Sequence, residues 1–279
     1  MLSEAAPAKI NLTLRVGAPR EDGYHPIDSL VVFADFGDRL DVREAPGLML
    51  VMGGPTARDV PDDNDNLVLR AARALQSAAG IEAGAQIHLH KHIPVEAGLG
   101  GGSADAAAAL RLLNTFWGVN WSLDRLAQLG AGLGADVPCC VYSQPLRMRG
   151  RGEWIDILSN WPDMQGVLIN PGVAVPTGPV FKAFDRSDPA ALVESDPPAR
   201  DHLAWLSTQP NDLEMPAKSL APEIADALDW LAAQPGVILA RMSGSGASCF
   251  AVCEPGTHEA IAAAYPGFAK AVRFPGGSR

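Results

Sequence analysis

The sequence predicts an α/β (α+β) chain, and three observations carry that expectation. Apolar residues alternate with polar ones in AKINLTLRV, a helical apolar rhythm fills LVLRAARALQSAAG, and strand-like and helix-like segments then take turns along the 279 residues. With 47% hydrophobic content the chain can fill a sizeable core.

In order, AKINLTLRV places Ile10, Leu12, Leu14 and Val16 on one face of a strand and Lys9, Asn11, Thr13 and Arg15 on the other. DSLVVFADF and LMLVM read as strands two and three. DDNDN at 62–66 reads as a helix-start loop; it resembles the opening of a calcium loop but lacks that motif's sixth-position Gly and terminal Glu. The helix LVLRAARALQSAAG follows, then the strand IHLHKHI. Its His88, His90 and His92 share a face, which reads as a polar sheet face rather than a metal site.

The alanine run to Trp117 is helical, with Ser103 expected as its N-cap and Asp105 in its first turn, where negative charge suits the helix dipole. SLDRLAQLGAGLG gives another helix from Ser122. RGRGEW reads as a hinge or junction, and DRSDPAALVESDPPARDH as a surface loop. The helix APEIADALDWLAAQ, strands flanking MSGSGAS, the helix THEAIAAAY and the strand FAKAVRF complete the chain. Two closely packed halves are expected, 1–150 and 151–279.

A formal net charge of −10 and the absence of Lys/Arg runs argue against nucleic acid or an anionic membrane as partner. No apolar stretch reaches the length of a membrane span, and MLSEAAPAK lacks signal-peptide regions, so a cytoplasmic protein is expected. Cys139, Cys140, Cys249 and Cys253 match neither a zinc nor a disulfide spacing and read as reduced, buried small hydrophobes.

The stretch PVEAGLGGGSADAAAAL, residues 94–110, holds four glycines in five positions directly before a helix. Such a loop can bring backbone N–H groups against an anion, and phosphate suits it. It is no Walker A loop, since the chain has no Gly-Lys pair, and no Rossmann fingerprint, since the spacing from Gly98 and Gly100 arrives at Ser103. A second cluster, Ser243 to Ala247, reads equally as a turn or a ligand contact. Lys9, one of five lysines, and Asp136 in GADVP would together suit phosphoryl transfer, although each alone reads as a surface or turn residue.

PAKINL, GLGGGSADAA and MSGSGAS, in that order and spacing, resemble the three motifs of the GHMP small-molecule kinases. DGYHPIDSL, DNLV, GADVP, PTGPVF and NDLE further resemble the branch of that superfamily acting on a cytidyl diphosphate substrate. The likeness spans nearly the whole chain. It implies a two-domain fold, with a ribosomal-protein-S5-like ATP domain and a ferredoxin-like substrate domain. It also implies phosphorylation by ATP, with Mg²⁺, of the 2-hydroxyl of a cytidine-diphosphate-linked methylerythritol.

On this resemblance Asp136 would orient or deprotonate the hydroxyl, with Lys9 holding it ionised and offsetting phosphoryl charge. Pro94, Val95, Glu96, Ala97, Gly98, Leu99, Gly100, Gly101, Gly102, Ser103 and Ala104 would wrap the ATP phosphates, with Ser103 facing phosphate and metal. Asn66 and Lys91 would meet the adenosine end. Asn11, Tyr24, His25, Thr177 and Phe181 would form the cytidyl pocket, an aromatic pair sandwiching the base and His25 reading its edge. Glu96 is expected to face solvent, because a carboxylate beside phosphates is unfavourable. A diphosphate decarboxylase of the same superfamily and a catalytically silent binding protein are the alternative readings.

Overall fold

The computed structural model describes residues 2–59 and 65–277, so positions 62–64 of the DDNDN loop lie outside the described residues. In chain order the elements are β1 (Leu2–Asn11), β2 (Arg15–Val16), β3 (Ile27–Arg43), β4 (Leu48–Gly53), α1 (Leu67–Ala79), β5 (Ala85–His90), α2 (Gly101–Phe116), α3 (Leu123–Gly130), α4 (Val137–Tyr142), β6 (Leu146–Gly150) and β7 (Trp154–Ile157). There follow β8 (Met164–Asn170), α5 (Thr177–Asp185), α6 (His202–Thr208), α7 (Glu214–Leu220), α8 (Glu223–Ala232), β9 (Val237–Met242), β10 (Cys249–Cys253), α9 (His258–Ala264) and β11 (Phe268–Phe274). The expected α/β (α+β) character holds, and the described strands form two sheets.

The chain clusters into two compact units. The first comprises residues 1–9, 37–95 and 100–143. Here β4 runs parallel to β5, and β5 pairs antiparallel with the C-terminal half of β3, from Arg39 opposite His90 to Arg43 opposite Gln86. Helix α1 starts where Asn66 accepts a hydrogen bond from the Val68 N–H (2.9 Å) and ends at left-handed Gly80, as the sequence leads one to expect. Its buried Val68, Leu69, Ala71, Ala72 and Leu75 form one stripe, and α1 packs on α2. The alanines of α2 are buried almost all round, which lets α1, α3 and α4 pack closely on that one helix. Ser122 caps α3 as expected, through the Arg125 N–H.

The second unit comprises residues 10–36, 96–99 and 144–279. The N-terminal half of β3 pairs antiparallel with β6, and β6 turns into β7. RGRGEW is therefore the turn of a hairpin, with Gly150 and Gly152 at positive φ, and not a hinge. The remaining sheet is antiparallel in the order β11-β8-β10-β9. Numbered from β8 that order is 4-1-3-2, and the helices fall between the first and second and the third and fourth strands, the ferredoxin-like arrangement. Its core joins Val167, Ile169, Cys249 and Ala251 of the sheet to Val180, Ile224, Leu228, Leu231 and Ile261 of α5, α8 and α9. The 186–200 stretch is a loop, as predicted, and all four cysteines are free and buried.

AKINLTLRV departs from the half-buried strand expected. Regular pairing stops at Asn11, and Leu14 instead donates its N–H to the Pro210 carbonyl. The polar face is as buried as the apolar one, with Lys9, Asn11 and Thr13 each under 5% exposed. Each finds a partner there: Lys9 meets Asp136, Asn11 donates to the Ser29 hydroxyl, and the Thr13 hydroxyl accepts from the Leu30 N–H. Among the described helices four went unrecognised in the sequence, α4, α5, α6 and α7, each of six to nine residues and too short to show a clear period.

Ile224, fully buried in the ferredoxin-like core, is expected to lose about 2–5 kcal/mol of stability on substitution by Ala. Exposed Met215→Ala should stay within about 0.5 kcal/mol of wild type. Urea unfolding curves on both variants check the contrast.

Candidate active site

In the first unit Lys9 lies near the end of β1 with its ammonium 2.7 Å from the Asp136 carboxylate. Lys9 is 4% exposed, whereas the Asp136 side chain is about one-third open. Burial alone would depress the lysine, but Asp136 outweighs it and its pKa is raised. Asp136 occupies the N-cap position of α4 without capping it, at φ −87° and ψ −12°, so the carboxylate is turned to Lys9 rather than spent on its own helix. The surface-lysine reading of Lys9 thus fails, because this ammonium is held inside the fold by a residue 127 positions away.

Gly100, at φ +63°, ends the glycine loop and begins α2. A Cβ there would stand 3.2 Å from the Lys9 Cβ and 3.3 Å from its Cε, so the bare backbone is what lets the lysine stem lie against the helix start. Ser103 is not the N-cap expected; it is the third residue of the helix, and no side chain caps this end. The first-turn N–H groups of Gly101, Gly102 and Ser103 therefore have no partner within the helix. That end of α2 is suited to an anion.

Asp105 also departs from its expected place. It lies in the second turn, buried, 2.7 Å from the Lys91 ammonium, and that ammonium also bonds Asp38 on β3. Asp38 accepts the backbone N–H groups of His92 and Ile93 as well. Burial, opposed by Lys91, pushes the Asp105 carboxyl up to about 8, while Asp105 and Asp38 raise Lys91 against its own burial. Lys91 thus lies under the helix start, 3.5 Å from where a Gly101 Cβ would be. Asn66 spends its side-chain oxygen on capping α1. Of the histidine stripe, His90 is bonded to Asp41, and among the described residues no cluster of His, Cys, Asp or Glu could hold a metal ion.

In the second unit residues 96–99 dock on the other glycine cluster. The Ser248 N–H donates to the Ala97 carbonyl (3.0 Å) and the Ser243 hydroxyl to the Gly98 carbonyl (3.1 Å). Gly98, at φ +73°, comes so close that a Cβ would be 2.6 Å from the carbonyl oxygens of Ser243 and Gly246. The sequence left Ser243–Ala247 undecided between a turn and a contact; the structure brings it directly against the first loop. Glu96 is exposed, as expected, and Pro94 and Val95 are half-buried.

The same unit gathers the cytidyl candidates. The Gly17 carbonyl, 2.9 Å from His25 Nδ1, can only accept, so Nδ1 carries a hydrogen and Nε2 is left to face Asp185 at 3.3 Å. The His25 ring lies 5.0 Å from that of Phe181 and edge-on to Phe184 at 5.8 Å. Tyr24 is exposed, with the Arg151 guanidinium 3.4 Å over its ring. Thr177, at the start of α5, bonds the Ser245 hydroxyl, and Asn11 keeps a buried Oδ1 with no partner. Asp38, Asp105 and Arg151 were not singled out from the sequence as neighbours of these candidates, whereas Ser243 was weighed there within the second glycine cluster. Asp105 was the nearest to legible, since a carboxylate two residues past Ser103 was noted but credited to the helix dipole.

Between the ordinary carboxylate range and about pH 8 the folded state holds the Asp105 proton that the unfolded state has lost. The stability of wild type relative to Asp105→Asn should therefore fall as pH rises from about 4 to about 8 and then level off. Denaturant titrations at several pH values check this; a constant difference would contradict it.

The comparisons agree with this architecture. The family model for the GHMP kinases N terminal domain matches residues 66–144, and that for the GHMP kinases C terminal matches residues 190–271. The 4-diphosphocytidyl-2-C-methyl-D-erythritol kinase of Hyphomonas neptunium is 50% identical over 261 residues, 91% of this chain and 87% of its own length. That of Parvibaculum lavamentivorans is 48% identical over 287 residues, 99% of each chain. A crystal structure of 4-(cytidine 5'-diphospho)-2C-methyl-D-erythritol kinase superposes with a TM-score of 0.84 at 34% identity, covering 99% of this chain and 100% of that one. Homoserine kinase from Cytophaga hutchinsonii, at 18% identity over 99% of this chain and 95% of its own, shares the fold with a TM-score of 0.74. The chain therefore belongs to the GHMP kinases, in the family of the 4-diphosphocytidyl-2-C-methyl-D-erythritol kinases.

Proposed function

We propose that this ATP-dependent kinase acts on 4-diphosphocytidyl-2-C-methyl-D-erythritol, transferring the γ-phosphoryl group to its 2-hydroxyl and releasing ADP, in the cytoplasmic non-mevalonate route to isoprenoid precursors. The observation that carries this reading is the Lys9–Asp136 pair set against the uncapped, glycine-bare start of α2. In this reading residues 1–150 bind ATP, and residues 151–279 bind the acceptor together with Asn11, Tyr24 and His25.

Asp136 orients the acceptor hydroxyl and takes its proton as the oxygen–phosphorus bond forms and the bond to the ADP leaving group breaks. The ammonium of Lys9, its pKa raised, stays charged at working pH and offsets negative charge on the transferring phosphoryl group. The 94–104 segment holds the triphosphate through backbone N–H groups, and the bare backbone at its glycines lets an anion come close. Asn66 and Lys91 serve the adenosine end, Lys91 from beneath the helix start.

Mg²⁺ in such sites is commonly held by one or two protein oxygens together with substrate phosphates and water, so it asks for no ready-made protein cluster. The Ser103 hydroxyl, half-buried in the first turn of α2, is the oxygen available there. Bound Mg²⁺ would neutralise phosphate charge. For the cytidyl group, Tyr24 and Phe181 offer ring faces, His25 Nε2 an edge contact, and Asn11 and Thr177 polar groups; Asn11 brings the orphaned Oδ1 that a bound donor would satisfy.

ADP release coupled to a reporter, with the cytidyl acceptor set against mevalonate and homoserine, tests the reading. Turnover with the cytidyl acceptor alone is expected, and none with any of the three would leave a silent binder. Asp136→Ala should lose at least about a thousandfold in kcat with nucleotide affinity nearly intact, and near-normal turnover would overturn its role. His25→Ala should chiefly raise the acceptor KM.

A further inference from the structure

Arg111, on α2, spends its whole guanidinium on two other elements of the first unit. Its Nε donates to Glu4 (2.7 Å) and its Nη2 to the Ala5 carbonyl (2.8 Å), both on β1. Its Nη1 reaches the far end of α4, donating to the carbonyls of Cys140 (2.7 Å) and Val141 (3.2 Å) and to the Ser143 hydroxyl (3.3 Å). These two carbonyls belong to the last turn of α4, where a helix leaves its oxygens unpaired, and a cation there also complements the helix dipole.

The two elements that Arg111 grips are those that carry Lys9 and Asp136. Lys9 lies four residues beyond Ala5 on β1, a span of about 13 Å in an extended strand. Asp136 is at the opposite end of α4, about 7 Å along the helix from the residues whose carbonyls Arg111 binds. The start of α2, against which the Lys9 stem lies, is about 16 Å along the helix from Arg111. Strand β1 and helix α2 are thus fastened to each other at both ends of a common length, once at Gly100 with Lys9 and once at Arg111 with Glu4 and Ala5. Helix α4 closes the ring between Asp136 and Arg111.

We propose that Arg111 is a positioning residue for phosphoryl transfer: by tying β1 and α4 to α2 it fixes where the Lys9–Asp136 pair stands relative to the glycine-rich helix start. This rests on the roles proposed above for Lys9 and Asp136. The side chain touches neither of them; it sets the distance between the elements that bear them. No other side chain type could do so at this position, because the task needs five N–H donors in a planar fork directed to two sides, which an ammonium does not offer.

The test uses the whole 279-residue chain with Arg111→Met, which keeps the apolar stem, and Arg111→Lys, which keeps the charge. Steady-state kinetics with ATP and the cytidyl acceptor should show kcat reduced about tenfold or more in both variants, since misplacement by an ångström is that costly, with both KM values within about twofold. Pulsed acetylation by acetic anhydride, read by peptide mass spectrometry, gives a readout independent of turnover. Lys9 should label faster in Arg111→Met, on the order of fivefold, as its surroundings open locally, while Lys91, held by Asp38 and Asp105, keeps its wild-type rate.

An equal rise at Lys9 and Lys91 would mean general loosening and overturn the proposal. So would full kcat in Arg111→Lys, or wild-type kcat and Lys9 labelling in Arg111→Met. A wild-type chain that transfers nothing to the cytidyl acceptor would sink the functional reading, and the Lys9 against Lys91 contrast would still decide whether Arg111 positions the pair.

Discussion

An ammonium buried on a strand must be matched by a negative charge, since leaving it unpaired costs several kcal/mol. Lys9 imposes that constraint on the first unit, and Asp136 answers it from 127 residues away. Much of the local structure follows from the demand. Asp136 stands at the head of a six-residue helix without capping it, which frees both carboxylate oxygens from backbone duty. Gly100 gives up its side chain so that the lysine stem can pass the helix start. The pair is only partly sealed, with the aspartate about one-third open, so a hydroxyl can reach the carboxylate while the ammonium stays in place.

A second buried lysine solves the same problem differently. Lys91 is shared by two carboxylates, and the three groups carry a formal charge that the interior resists, which is why Asp105 holds its proton to about 8. Asp38 is the anchored member, because it also accepts two backbone N–H groups of the segment after β5. The cluster fastens strand β3, the end of β5 and the second turn of α2 together. In the second unit the corresponding fastening uses backbone rather than charge. There Ala97 and Gly98 receive bonds from Ser248 and Ser243, and glycine is what allows the approach.

Much of this was legible in the sequence. Helix α1 announced itself by the loop ending at Asn66 and by Gly80, α3 by Ser122, and α8, β9, β10, α9 and β11 by their apolar patterning. The ferredoxin-like arrangement was expected only from the family resemblance, and β8 and α5 gave no signal that was read. The glycine loop was visible because four glycines in five positions exceed what a turn needs. What stayed hidden was long-range pairing. Period-2 alternation in AKINLTLRV predicted a wet polar face, since nothing local shows that Asp136, Ser29 and Leu30 will meet Lys9, Asn11 and Thr13. Ser103 was expected to cap α2 because capping rules are local, but glycine at φ +63° took that place and left the end uncapped. Arg111 carries no local signal within its alanine-rich helix, and only the fold puts β1 and α4 within its reach.

The roles proposed for Lys9 and Asp136 require that the pair move a phosphoryl group to an acceptor hydroxyl. ³¹P NMR of a reaction holding ATP, Mg²⁺ and the proposed cytidyl acceptor tests it most directly. ATP signals are expected to give way to those of ADP together with a new phosphomonoester resonance, the acceptor diphosphate staying intact, and Lys9→Met should yield neither change. Inorganic phosphate as the only new signal, or a phosphomonoester formed as fast by Lys9→Met as by wild type, would contradict it.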